Sequence, residues 1–343
     1  MKKYIITAFL LITIVMAQAT IINVDNKANR PSGYANNLQA AVNNASSGDT
    51  IYLYPSNVDY GNININKKLY IFGFGYDGTN NYVARIDHLY LDTSATPSTT
   101  SSYSTIQGIT ISGGISCSKE KIKNISLIGN QFTYLSLHIN CSSWIIKNNY
   151  ITDYIYLNNN NSIIILNNTF DGSYYEPLRS SNSSSLVVSN NLFMYWSKFS
   201  NIQNATISNN IFICSSNSYT GGNMNSNTFT NNISYCSNTN NTYTLPPTGN
   251  TGSGNLQNTS PSFITGSTNS YYDYTLDYHL SSTSAAKDAG TDGTDIGPSG
   301  GTEPFIWGGA FSIPKVTQLS ISNPIINQGT DINVNVKAKK AEL

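Results

Sequence analysis

The sequence predicts an all-β chain wound into a single-stranded parallel β-helix, a solenoid with a helical cap at its N-terminal end and a β-hairpin at its C-terminal end. The first observation is a repeat. The pattern aliphatic-x-Asn-x-apolar recurs as LIGNQF, IIKNNYI, ILNNTF, VVSNNLF, TISNNIF and TFTNNIS, anchored at Asn130, Asn149, Asn168, Asn191, Asn210 and Asn232 with spacings of 19, 19, 23, 19 and 22 residues. Stacked coils produce such a period, because extra residues leave the stack as loops. The second observation is composition: only 10% of the 343 residues are charged, and 48 asparagines carry the polarity instead. Side chains stacked about 4.8 Å apart tolerate amides, which bond to one another, and disfavour like charges.

A period near 20 residues is too short for helical repeats, which need about 33 or more. Three short strands joined by tight turns fill it, giving about nine or ten coils. The anchor asparagine is assigned two tasks: to take the left-handed conformation at a sharp corner, and to bond its amide to the next coil. Phe132, Ile151, Phe170, Phe193 and Phe212 stand two positions after their anchors and are expected to stack inside. Cys214 and Cys236 both lie four positions after an anchor, and Cys117 and Cys141 lie 24 apart, as do Ile115 and Ile139, so each pair is expected in register. Buried thiols are favoured over disulfides, on the view that directly stacked parallel positions offer poor bridging geometry.

Residues 1–19 read as a signal peptide: two lysines, an apolar run from Tyr4 to Met16, and Ala17-Gln18-Ala19 as a cleavage site. That run falls short of the roughly 20 residues that span a bilayer, so an exported protein without a transmembrane span is expected. Residues 20–58 read as the cap. Leu38, Ala41, Val42 and Ala45 fall at helical spacing, and Ser47-Gly48-Asp49 turns into the strand Thr50–Tyr54. Residues 59–313 form the β-helix domain. In 314–343, alternating Leu319 and Ile321, the turn signal Asn327-Gln328-Gly329, and alternating Ile332, Val334, Val336 and Ala338 predict a hairpin sealing the last coil.

The cap carries Ala45-Ser-Ser-Gly-Asp-Thr-Ile51 and Leu69-Tyr-Ile-Phe-Gly73, and the far end carries Tyr278-His-Leu-Ser-Ser-Thr-Ser-Ala-Ala-Lys-Asp-Ala-Gly290 and Thr294-Asp-Ile-Gly297. In these motifs the chain, over roughly Ile22 to Gly301, resembles the secreted right-handed parallel β-helix proteins of the pectate-lyase-like superfold. The resemblance implies a right-handed coil and secretion. It implies little about activity, because that superfold hosts lyases, hydrolases and adhesins.

Composition excludes some partners. Lys plus Arg and Asp plus Glu both number 18, and loss of Lys2 and Lys3 leaves 16 − 18 = −2, so nucleic acid is not an expected partner. A lyase of this superfold would need acidic calcium ligands and a basic residue, and a hydrolase a cluster of aspartates. No acidic residue lies between Glu176 and Asp273 and no Lys or Arg between Lys198 and Lys287, so chemistry is confined to the first half. Asp153, Asp171, Glu176 and Arg179 are the weak catalytic candidates, with His138 and Lys147 nearby. Asp153 and Asp171 sit at different offsets from their anchors and are expected on opposite faces.

Tyr154, Tyr174, Tyr175 and Trp196 are the candidate ligand-binding residues. Aromatic rings beside Asn and Ser suit sugars, which present an apolar face and a polar edge. His88 and His279 are read as structural. Loop character at Asp288, Asp292 and Asp295 would allow close oxygen approach to calcium, but turn-forming aspartates are the favoured account, so no cofactor or metal is assigned. The resulting expectation is an exported, monomeric, non-catalytic protein of the cell surface or extracellular matrix that contacts a polysaccharide or surface glycan. The alternative is a polysaccharide lyase or glycoside hydrolase using the Asp153–Arg179 region.

Overall fold

The computed structural model describes residues 19–76, 83–95, 98–173, 176–181, 184–195, 198–214, 223–238, 243–309, 315–321 and 334–339. The leader read over residues 1–19 therefore lies outside the described residues, save Ala19. The chain is a right-handed parallel β-helix: an 11-stranded parallel sheet runs from Ile21–Val24 to Thr251–Ser253, and a 12-stranded sheet lies opposite. Successive coils stay in register, as in Ser126↔Ile145↔Ile164↔Val187↔Thr206↔Thr228.

The asparagine ladder exists and extends one coil further than its motif, to Asn255. Each anchor Oδ1 accepts both the backbone N–H and the Nδ2 of the preceding anchor, at 2.9 and 3.2 Å for Asn149, 2.9 and 2.9 Å for Asn168, and 3.0 and 3.0 Å for Asn255. Each Nδ2 also donates to a carbonyl of the preceding coil, such as Leu127 for Asn149 and Val188 for Asn210. Asn130, Asn149, Asn168, Asn191, Asn210 and Asn232 are fully buried, so the ladder satisfies polar groups in the interior without a charge.

The left-handed corner belongs to a different residue. Positive φ falls on the position before each anchor, Gly129, Asn148, Asn167, Asn190, Asn209 and Asn231. The tandem Asn-Asn thus divides two tasks that the sequence reading gave to one residue: the first makes the corner, and the second makes the ladder.

Inside, Phe170, Phe193 and Phe212 stack with centroids 4.5 and 5.2 Å apart, and Tyr243 continues the stack 5.3 Å beyond Phe212. Tyr243 takes the place that the periodic position leaves open, since the residue in register with Phe212 is Ser234. Cys214 and Cys236 are in register and form a disulfide with a Cα–Cα distance of 4.6 Å. The expected thiols are thereby overturned, because the spacing of stacked strands falls inside the range a disulfide bridges. Cys117 pairs with Leu137 and Ile115 with Leu135, so the expected 24-residue register fails. The two thiols nonetheless meet at 3.2 Å, because Cys141 lies on the turn that follows.

The helix over Leu38–Asn44 forms as expected, with Asn37 as its cap accepting the Ala40 N–H at 2.8 Å and with Leu38, Ala41 and Val42 buried. Lys315–Ile321 and Val334–Lys339 pair as an antiparallel two-stranded sheet of their own.

Residues 256–309 supply a feature that the repeat does not announce. This segment leaves the last coil and runs back along the stack as a strap. The corner asparagines hold it: Asn231 Nδ2 donates to Ala289 O at 2.9 Å, Asn209 Oδ1 accepts Thr291 N–H at 2.9 Å, and Asn167 Nδ2 donates to Pro298 O and Gly300 O at 3.0 and 2.8 Å. Lys147 pairs with Glu303, and the Tyr76 N–H donates to Gly308 O at 2.5 Å. The strap buries Leu192, Met194, Ile211, Ile213 and Ile233, which point out of the coil, against Tyr278, Leu280, Ala286 and Ile296.

Candidate functional site on the open face of the coil

The strap covers one half of an outward face and leaves the other half open. On the open half, the rung Arg85↔Thr110↔Gln131 runs at a spacing of about 4.8 Å toward the edge of the strap, where the next positions of the rung are covered: Tyr150 packs against Tyr272 and Trp307, and Thr169 is fully buried. A groove of about 570 Å³ lies here, lined by Asp59, Arg85, Thr110, Ser112, Gln131, Thr133 and Thr152. Beyond Asp59 and Arg85 at one end, its polar lining is made of hydroxyls and amides, because outward positions that no strap covers must remain hydrated.

Beside the groove stands a row of half-buried rings. Tyr134 and Tyr154 stack at 5.5 Å with planes 16° apart, His88 stacks on Tyr90 at 6.0 Å, and His88 meets Tyr134 edgewise at 6.3 Å. Gly113 and Gly114 make room for them, since a Cβ at either position would lie 2.2 Å from the His88 ring or 2.5 Å from the Tyr134 ring. Arg179, in register with Tyr156, lays its guanidinium over Tyr154 at 4.3 Å and over Tyr156 at 5.2 Å. One face of Tyr154 is therefore against Tyr134 and the other against Arg179. Of the four candidate ligand-binding residues, Tyr154 is on this face; Tyr174, Tyr175 and Trp196 lie outside the described residues.

Of the four charged candidates, Asp153 and Arg179 adjoin Tyr154, one as its neighbour in the chain and the other over its ring. Asp153 falls in an irregular step of the strand Tyr150–Asn158, where Phe132/Tyr134 opposes Ile151/Tyr154 and two residues face one. The extra residue changes the phase that had placed Asp153 and Asp171 on opposite faces, and the two carboxylates act on each other electrostatically. Asp171 is buried. Burial pushes its carboxyl above the ordinary value, against hydrogen bonds from Ser173 Oγ at 2.5 Å, the Tyr150 hydroxyl and the Tyr272 backbone, and the Asp153 charge adds to the rise. Burial also raises Asp153. Glu176 forms an ion pair with Lys198 at 3.2 Å.

Two neighbours in sequence are not neighbours in space: Lys147 faces the strap through Glu303, and His138 is exposed on a turn. At the strap, Lys287 holds Asp295 at 3.0 Å and Asp292 accepts from Thr294. Among the described residues no group of three His, Cys, Asp or Glu side chains is placed to hold a metal. Nor is any described helix long and apolar enough to cross a membrane.

The sequence reading missed His88, Tyr134 and Arg85. The available signal was Gly113-Gly114 inside a strand, which marks a close approach from outside.

A parallel β-helix whose outward face is half open and half strapped is the class that this fold defines. The crystal structure of pectate lyase Pel9A is similar to it, with a TM-score of 0.51 and 13% identity over 82% of this chain and 96% of that one. At that identity the similarity establishes the pectate-lyase-like β-helix fold. No protein-family model matches the chain, and no curated protein matches it in sequence.

Proposed function

We propose that the protein is an exported, non-catalytic β-helix that contacts polysaccharide along the open face. The observation that carries this reading is the run of hydroxyls and amides along the groove, Thr110, Ser112, Gln131, Thr133 and Thr152, with Asp59 and Arg85 at one end and the stacked rings of Tyr134 and Tyr154 beside it. A sugar chain offers hydroxyl groups along its length, and a row of fixed, partly desolvated donors and acceptors matches them. With their faces occupied, the tyrosines contribute hydrogen bonds rather than stacking platforms. Arg179 holds the Tyr154 ring in place and adds a fixed charge at the edge. Affinity electrophoresis in gels containing neutral or acidic polysaccharides tests the reading. Retardation by at least one polymer is expected, and Ser112→Trp, a bulky residue at an exposed position of the floor, should abolish it without changing the unfolding midpoint. Equal retardation of the wild type and this variant would remove the groove from the reading.

The pairing of Asp153 with the raised carboxyl of Asp171 favours a second reading, a glycoside hydrolase. Two interacting carboxyl groups, at least one of them holding its proton more tightly than usual, are a starting point for an acid and a nucleophile or base. Release of reducing ends that is lost in Asp171→Asn would support it, and ultraviolet detection of unsaturated ends would instead mark a lyase.

A further inference from the structure

A cavity of about 130 Å³ lies between the strap and the coil, apart from the open groove. Thr169 and Leu192 of the coil form its floor, and Tyr272, Tyr274, Phe305 and Trp307 of the strap form its walls, with Asp277 and His279 also lining it. The walls are ordered by their own contacts: Tyr274 is stacked on Trp307 with planes 5° apart at 5.2 Å, and Tyr272 lies 5.7 Å from Trp307. Tyr274 stays 44% exposed, so one side of its ring is open.

Two polar atoms of lining residues are buried without a hydrogen-bond partner among the described residues, the Trp307 indole Nε1 and the Thr169 Oγ1. Leaving such groups unsatisfied is costly, so each needs an account. His279 Nδ1 and Asp277 Oδ1, 2.6 Å apart, supply a planar polar pair to the lining. The Asp277 carboxyl is held below its ordinary value, chiefly by the His279 backbone N–H, and stays ionised at neutral pH.

We propose that this cavity binds one neutral pyranose ring, as a free sugar or as the end of a chain. An apolar ring face fits against Tyr274, ring hydroxyls satisfy the Trp307 donor and the Thr169 hydroxyl, and the Asp277 and His279 pair accepts and donates to an adjacent diol. The ionised Asp277 selects against uronic acids. The inference goes beyond polysaccharide contact on the open face and stands on separate residues.

The test is titration of the full chain with methyl glucoside, methyl galactoside, methyl mannoside and galacturonate, read by calorimetry and by tryptophan fluorescence. Saturable binding of at least one neutral pyranoside is expected, with a Kd of about 1 mM, the order a small ligand reaches with few contacts. Galacturonate should bind more weakly than that sugar. Tyr274→Ala should weaken binding by about tenfold or more, equivalent to about 1.4 kcal/mol. His279→Ala, at a side chain 70% exposed and so remote from folding, should weaken it in the same direction. Ser112→Trp should leave it unchanged, which separates failure here from failure of the groove. Absence of saturable binding by every neutral pyranoside, galacturonate binding as tight as theirs, or wild-type affinity in both variants would overturn the assignment.

Discussion

Thr133 and Ile213 occupy the same place in their coils, three residues after an anchor asparagine, yet one lines an open groove and the other is fully buried. The same contrast holds one position into each coil, where Gln131 lines the groove and Ile211 and Ile233 are buried beneath the strap. The strap makes the difference. Where it lies on the coil, outward positions turn apolar and form a second core; where it is absent, they stay polar and form the groove. The scarcity of charge over the later coils accordingly has two causes, the ladder inside and the cover outside. The face available to a ligand is what the strap leaves free.

Variants of the ladder should cost most and should not distinguish the halves. Asn149→Leu in the open half removes the acceptor of the Asn130 N–H and Nδ2, and Asn210→Leu in the strapped half removes the acceptor of the Asn191 N–H and Nδ2. At about 1–3 kcal/mol for each buried group left without a partner, each variant should lose about 4 kcal/mol. Urea unfolding should show the two losses to be similar. A large inequality would mean that the strap carries part of the ladder's role.

The outward face should distinguish the halves sharply. Ile213→Ala removes apolar volume from the second core and should cost about 2–5 kcal/mol. Thr133→Ala, whose hydroxyl donates to Ser112 O at an exposed site, should cost about 0.5 kcal/mol or less. Comparable losses at both positions would show that the open groove is packed by something outside the coil.

Elements with a local signature were legible in the sequence. The ladder, the phenylalanine stack and the cap helix each follow from short-range spacing, and the structure contains all three. Asn255 escaped because its coil, Ser253-Gly254-Asn255-Leu256, lacks the aliphatic residue that opens the motif. The strap escaped for a stronger reason. Its bonds join residues such as Asn167 and Gly300, 133 apart, and no periodic rule relates a folded-back segment to the coils it crosses. Half of each Asn-Asn pair thereby went unexplained, since the corner residue's grip on the strap has no counterpart within the repeat. At the site, the charged residues were legible as residue types. That Asp153 acts on Asp171 depended on one extra residue at Thr152-Asp153 and on register across coils, which composition does not encode.

The smallest effects lie in the pH dependence of two buried aspartates, one in the cap and one where the open face meets the strap. At Asp49 burial pushes the carboxyl up, but N–H groups of Thr20 and Ser46, each at 2.8 Å, outweigh it and leave the carboxyl below its ordinary 3.8. Its contribution to stability is present above that value and is lost as pH falls through the lower folded one. At Asp171 burial wins and the carboxyl is raised above 3.8, so its contribution is greatest below that value and is lost as pH rises through the folded one. Neutral variants should therefore tilt the stability profile in opposite senses. Relative to wild type, Asp49→Asn should lose more at about pH 7 than at about pH 3, whereas Asp171→Asn should fare better at about pH 7 than at about pH 3. Urea midpoints across that range read the tilt directly. The same tilt in both variants would mean that hydrogen bonds outweigh burial at Asp171 as they do at Asp49, and would withdraw the electrostatic ground for the hydrolase reading, leaving the groove floor as the sole basis for function on the open face.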